Sequence, residues 1–259
     1  MHRIMSKISS AVNHLLKDIE LLFPDDHLYT GEDINRIDNE LRPKDLQVYM
    51  NPETDILEPG QESPCMRGNI IILGTYSAMS SPGVVSLCLD HLKDFFYSLV
   101  KRSLLAGYDI SKKELKPIAK LVVYKTYWHE LFHFDCDVLR HFFGGHIDPN
   151  IEEALAVARA WARITAEKDY KFWEIKKPQL FEFIVIEAFK YTSAGYRDWV
   201  DYSDENDFQH ALLRYINPPS SSFLGSNGVQ LQKLIFALLT QDNGKEGEGF
   251  IIKYIPSLS

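Results

Sequence analysis

The sequence predicts a mainly helical α+β protein, in which a small N-terminal sheet lies over one long helix and a helical C-terminal lobe follows. Apolar residues recur at helical spacing along most of the 259 residues, whereas β-branched runs are short and few. One helical segment is apolar or aromatic nearly all round, which is typical of a buried helix. We expect residues 1–145 and 146–259 to form two lobes of a single unit.

The N-terminal part combines one helix with loops and short strands. Apolar residues between Ile8 and Phe23 alternate with polar ones at helical spacing, which predicts an amphipathic helix rather than a signal peptide. Residues 24–67 are rich in Pro, Asp, Asn and Gly and predict loops, with a short strand at 46–50. The β-branched run at 68–76 is bounded by glycines and is the best strand candidate.

Helices dominate the remainder of the chain. The long helix is predicted to begin at Ser111, where Ser-Lys-Lys-Glu has the form of a capping box, and to stop at Gly144-Gly145. Pro149 suits the first position of the next helix. The predicted helices span about 84–105, 111–143, 149–168, 178–192, 205–216 and 226–240, and a strand at 250–255 closes the chain.

Composition and charge narrow the class of protein. The chain is 45% hydrophobic and 25% charged, as folded proteins are, and its formal net charge is −8. An acidic chain without a basic run argues against a nucleic-acid or anionic-membrane partner. No apolar run is long enough to span a membrane. Three scattered cysteines favour a reduced chain, and we therefore expect a cytoplasmic location. The oligomeric state stays open.

The long helix carries the chemistry, in the motif His129-Glu130-Leu131-Phe132-His133. Histidines four residues apart lie about 40° apart on a helix, so both imidazoles can reach one zinc ion. Glu130 lies beside that face and is placed to act as a general base. Burying the two imidazoles and the Glu130 carboxylate without partners would cost about 1–3 kcal/mol for each group. The motif therefore predicts a metal centre inside the protein.

A third ligand is expected from the following helix. A metzincin would have a histidine where this chain has Leu139, so that pattern is absent. Glu152 shares a helical face with Arg159 and Arg163 and is expected to face solvent. Glu153 shares a face with apolar residues and needs a partner there. We therefore predict Glu153 as the third ligand, although acidic residues favour the first turn of any helix.

The motif and Glu153, which is followed by Ala-Leu-Ala, resemble the metal site of the gluzincin zinc peptidases over residues 129–156. The resemblance implies a zincin-like fold and a zinc ion held by His129, His133 and Glu153. It also implies that Glu130 activates a zinc-bound water to hydrolyse peptide bonds in a protein or peptide substrate. The strand near residues 69–76 would then pair with the extended substrate through its edge, and the alternative that it is an ordinary core strand stays open.

The chain departs from the gluzincin pattern in its surrounding residues. Many gluzincins have an aspartate at the position of Val157 to orient the first histidine, so that acceptor must come from elsewhere. Asp135 and Asp137 are candidates, although solvent exposure suits both. His141 and His146 are poor candidates for a further ligand, and Cys136 is expected to be a buried, inert thiol. The candidates for stabilising an oxyanion are Tyr191, Tyr196, His210 and Tyr215.

Two alternatives stay open at this point. The chain could be a helical interaction or regulatory protein that keeps zinc without turnover. A structural zinc site usually has a fourth protein ligand and needs no base, so Glu130 favours catalysis. In the other alternative no metal binds, and His129 and His133 are buried histidines bonded to backbone carbonyls. The substrate, and whether cleavage is internal or terminal, cannot be read from the sequence.

Overall fold

A computed structural model describes residues 2–41, 66–67, 70–71, 73–77, 83–143, 148–166, 173–216 and 250–255, and these are mainly helical. Short 3-10 helices span Gly31–Asp33 and Tyr196–Tyr202. The α-helices are α1 (His2–Leu22), α2 (Ile34–Glu40), α3 (Leu89–Leu105), α4 (Lys112–Phe143), α5 (Pro149–Ala166), α6 (Pro178–Ala188) and α7 (Glu205–Ile216). The strands are β1 (Leu28–Tyr29), β2 (Met66–Arg67), β3 (Ile70–Ile71), β4 (Gly74–Ser77), β5 (Gly83–Cys88), β6 (Ile110–Ser111) and β7 (Phe250–Ile255).

Helix α4 lies at the centre of the described structure. It packs against α1, α3, α5 and α6 and against the strands β4 and β5. Leu121, Val122 and Val123 on successive faces of α4 are all fully buried, as the apolar pattern predicted. Ser111 immediately precedes the first residue of the helix, near the predicted start, and the Glu114 carboxylate accepts hydrogen bonds from its backbone N–H and its hydroxyl.

The sheet near α4 has three strands in the order β4-β5-β7. β5 lies in the middle, antiparallel to β4 and parallel to β7, which comes from the end of the chain. The expected sheet is therefore present, but its strands are not all N-terminal. One hydrophobic core likewise contains residues from both predicted lobes, including Leu15, Val122 and Ile164.

Several element boundaries differ from those predicted. Residues 83–88 are strand rather than the start of a helix, because Val84, Val85 and Leu87 pair on both sides within the sheet. Helix α2 lies in a stretch predicted as loop, and α6 ends at Ala188 rather than at 192. The helix at 205–216 is confirmed. The strand predicted at 46–50 and the helix predicted at 226–240 lie outside the described residues.

The cysteines do not all behave as expected. Cys136 is buried and forms no disulfide, as predicted, but Cys88 is disulfide-bonded. The expectation of a fully reduced chain is therefore wrong at Cys88, because a count of cysteines does not show which sulfurs the fold brings together. No helix in the described residues combines the length and the apolarity needed to cross a membrane.

Candidate metal centre

The three predicted ligands meet between helices α4 and α5. His129 and His133 lie one turn apart on α4, and Glu153 is the fifth residue of α5. The two helices approach closely where small residues of α5, including Ala156 and Ala158, pack near Phe132 of α4. One donor atom from each of the three residues lies within 4.8 Å of the other two. No other such group of His, Cys, Asp or Glu occurs among the described residues.

The spacing of these donor atoms suits a tetrahedral metal ion. The Nε2 atoms of His129 and His133 are 3.2 Å apart. Glu153 Oε2 lies 2.9 Å from the first of these nitrogens and 3.4 Å from the second. Two donors at about 2.0–2.1 Å from a tetrahedral zinc ion would be separated by about 3.3 Å. All three separations are near that value.

Glu153 Oε2 is buried and makes no hydrogen bond with the described residues. His129 Nε2 is within bonding distance of this oxygen, but the contact lacks the geometry of a hydrogen bond. A buried carboxylate oxygen without a donor is costly, and a cation at the meeting point of the three donors would remove that cost. The residues present therefore fit a metal ion.

Glu152 is not on a solvated face, and the expectation that it is exposed is wrong. Its side chain is buried, with 6% of its surface exposed. One of its oxygens lies 2.8 Å from His133 Nδ1, and the other accepts a hydrogen bond from the Tyr215 hydroxyl. The helical face of Glu152 did not reveal that α4 and α7 cover it. A carboxylate on Nδ1 fixes the ring with its Nε2 lone pair toward the metal position.

Charges within the site shift the pKa values of its members. Burial alone would lower the pKa of His133, but Glu153 and Glu152 together raise it well above its usual value. Burial alone would raise the pKa of Glu153, but His133 and His129 hold it well below its usual range. The glutamate is therefore an anion at neutral pH, as a metal ligand must be.

Glu130 is buried beside the three donors, with 6% of its surface exposed. Burial raises the pKa of its carboxyl group, while the neighbouring histidines act in the opposite direction. Strand β4 passes directly over it. A Cβ atom at Gly74 would lie 3.0 Å from Glu130 Cγ, 3.1 Å from its Oε1 and 2.7 Å from Thr126 Cγ2. Only glycine allows the strand to approach the helix this closely.

Of the four candidates for oxyanion stabilisation, two lie at the centre. The Tyr196 ring stacks on His129 with 5.8 Å between centroids, and the Tyr191 ring lies 5.4 Å from that of Tyr196. Tyr215 instead bonds to Glu152. His210 is exposed and lines a separate cavity of about 470 Å³ beside α7.

The other proposed acceptors have different neighbours. Asp137 accepts a hydrogen bond of 2.9 Å from the Tyr76 hydroxyl of β4, and this bond ties the strand to α4. Burial raises the pKa of Asp135 to about 7, although Arg159 and Arg163 lower it. We expected one of these aspartates to orient the imidazole of His129. The carboxylate that contacts an imidazole in the structure is instead that of Glu152, and the ring is that of His133. The side chains of His141 and His146 lie outside the described residues.

Sequence reasoning also missed Lys125, one turn before His129 on α4. Its side chain is 4% exposed. Its Nζ lies over three aromatic rings, 4.8 Å from the centroids of Phe95 and Tyr191 and 5.5 Å from that of Phe189. The available signal was a lysine that is the sole charged residue within the segment 121–128.

Comparison with known proteins does not extend this description. No protein-family model, no curated protein and no solved structure matches the chain.

Proposed function

We propose that this protein is a zinc-dependent hydrolase that cleaves peptide bonds. The observation that carries the proposal is the convergence of His129 Nε2, His133 Nε2 and Glu153 Oε2 beside the buried Glu130 carboxyl. Three protein donors leave a tetrahedral ion one open position, which is the arrangement of catalytic rather than structural zinc sites. The resemblance of residues 129–156 to gluzincins agrees with this reading.

The proposed roles of the metal ion and of Glu130 follow from the chemistry of each. Zinc at this site would supply a Lewis acid that polarises a carbonyl oxygen and makes water nucleophilic at neutral pH. Glu130 accepts the proton of the attacking water and delivers it to the leaving nitrogen. Its raised pKa brings it nearer to the working pH, which suits a group that takes up and releases a proton.

Strand β4 offers a place for the substrate backbone. Within the described residues β4 pairs with β5 alone, and its other edge is where we propose that an extended peptide adds as a further strand. Gly74 places this strand against Glu130, and Tyr76 holds its far end to α4 through Asp137. A strand of this kind above the metal-binding helix is what we propose as the zincin-like feature of the fold.

Tyr191 and Tyr196 are the residues that would donate a hydrogen bond to the developing oxyanion. Burial, together with the charges of Glu153 and Glu130, raises the pKa of both hydroxyls above their usual value. Each therefore keeps its proton at neutral pH and can act as a donor.

The cellular location stays a prediction. The expectation of a cytoplasmic protein rested on reduced cysteines, and the disulfide at Cys88 weighs against it, because cytosolic thiols are normally kept reduced.

The proposal is tested by incubating the zinc-loaded protein with a diverse peptide library and identifying cleaved bonds by mass spectrometry. We expect cleavage that a chelator abolishes and that zinc restores. Glu130→Gln keeps the shape of the side chain but removes the base, so cleavage should fall about 10²–10⁴-fold while zinc is retained. Zinc retention without cleavage of any peptide by the wild type would favour the alternative, a non-catalytic zinc-binding regulatory protein.

A further inference from the structure

Lys125 is a buried lysine without a counter-charge among the described residues. No hydrogen bond or ion pair joins its Nζ to any of the described residues, and it lies instead over the rings of Phe95, Tyr191 and Phe189. Aromatic faces attract an ammonium, but they accept none of its three N–H donors in the way that an oxygen does. An ammonium buried in this way is costly, and an anion bound beside it would remove much of that cost.

The position of Lys125 links it to the candidate metal centre. On α4 it precedes His129 by four residues and so lies on the same side of the helix. Tyr191, which its Nζ faces, contacts the Tyr196 ring, and that ring stacks on His129. Tyr191 also lies near enough to Glu153 and Glu130 to be affected by their charges. Lys125 thus lies on the flank of His129 that carries these tyrosines.

From this arrangement we propose that Lys125 binds a carboxylate group of the substrate. The inference rests on the proposed peptidase function and adds a substrate class to it: peptides that carry a carboxylate close to the scissile bond. A single ammonium balances a single negative charge, which is what a carboxylate carries. Glu130 lies on the opposite side of His129 around the helix, so a substrate could contact both groups without competition.

The binding test uses small molecules that carry one group for each site. The monohydroxamates of succinic, glutaric and adipic acid carry a zinc-binding hydroxamate and a free carboxylate at three spacings, and their methyl esters lack that negative charge. At one spacing or more, we expect the acid to bind the zinc-loaded protein about 10- to 100-fold more tightly than its ester. Calorimetric titration measures both affinities.

Variants of the protein test whether the tighter binding of the acid depends on Lys125. In Lys125→Met the acid and the ester should bind equally, because the shape of the side chain is kept and its charge is lost. Lys116→Met is the matched control on the same helix, since Lys116 is half-exposed and pairs with Glu174, and it should keep the full ratio. Should Lys125→Met fail to fold, Lys125→Gln, which also lacks the charge, is compared with the wild type in the same way.

The outcomes separate the two proposals. Equal binding of acid and ester to the wild type at all three spacings would overturn the role of Lys125 while leaving the zinc site intact. Binding of neither probe would overturn the zinc site, and the inference with it. Peptides with free or amidated C-termini, with and without an acidic side chain, then identify the source of the carboxylate. Cleavage indifferent to both features would contradict the proposal.

Discussion

Two buried ionisable groups of α4 lie five residues apart in opposite surroundings. Glu130 is 6% exposed and has two histidines, a second carboxylate and the backbone of β4 around it. Lys125 is 4% exposed and has three aromatic rings and no described anion. Glu130 therefore belongs to a cluster of charged groups that fits a metal ion, whereas Lys125 has only aromatic neighbours among the described residues, which is why we propose a ligand there.

The largest expected effect concerns the cost of burying Lys125. Burial lowers the pKa of its ammonium from 10.5 to about 7. Between these values the unfolded chain holds a proton that the folded protein lacks, so the contribution of this residue to stability rises with pH across that window. Below about pH 7 both states are protonated and the full burial penalty is present. Across the window the free energy of unfolding of wild type, relative to Lys125→Met, should therefore rise by about 1.4 kcal/mol per pH unit.

Denaturant unfolding of both proteins in a chelator, at intervals from pH 7 to pH 10, measures this slope. All other titrating groups are common to the two proteins and cancel in the difference. A difference that does not change with pH would show that Lys125 keeps its proton in the folded protein and has a counter-charge after all.

The second prediction concerns the candidate metal centre, where buried charges have partners. Glu152→Gln removes the charge that orients His133, so zinc affinity should fall about 10- to 100-fold. Tyr215→Phe removes only the hydroxyl that bonds to Glu152, and we expect a smaller loss in the same direction. Competition with a fluorescent chelator measures both affinities. Glu182→Gln, on an exposed position of α6, is the control, and equal affinities for it and Glu152→Gln would refute the positioning role.

The third prediction tests the close approach of β4 to Glu130. Gly74→Ala places a Cβ against Thr126 and Glu130, so the free energy of unfolding should fall by about 1–3 kcal/mol. Peptide cleavage should also fall while zinc binding is unchanged, because Glu130 is displaced and the ligands are not. Gly31→Ala is the matched control, since the nearest atom to its added Cβ is 4.0 Å away. A loss of activity shared by both variants would argue against a specific contact.

The sequence predicted the parts of the site that depend on one helix at a time. Helical periodicity is local, so it placed His129 and His133 on one face and selected Glu153 by its apolar neighbours. The burial of Glu152 was not predicted, because a helical wheel shows which residues share a face but not which other element of the fold covers that face. Here His133 and Tyr215, which lie 19 and 63 residues away, cover that carboxylate.

Features of the fold that depend on contacts between distant parts of the chain were not predicted either, because local periodicity does not contain those contacts. Residues 83–88 have an apolar pattern that fits a helix start as well as a buried strand, and only pairing with β4 and β7 decides between them. β7 joins this sheet from the far end of the chain. Lys125 was visible as a charge in an apolar segment, but its aromatic neighbours come from α3 and from the residues after α6.

The most direct test of the central claim is the zinc content of the purified protein, measured by elemental analysis beside Glu130→Gln and Glu153→Gln. We predict near-stoichiometric zinc in the wild type and in Glu130→Gln, and weakened retention in Glu153→Gln. Wild-type protein that holds no zinc even after reconstitution would contradict the account. His129, His133 and Glu153 would then be a buried hydrogen-bonding cluster rather than a metal centre.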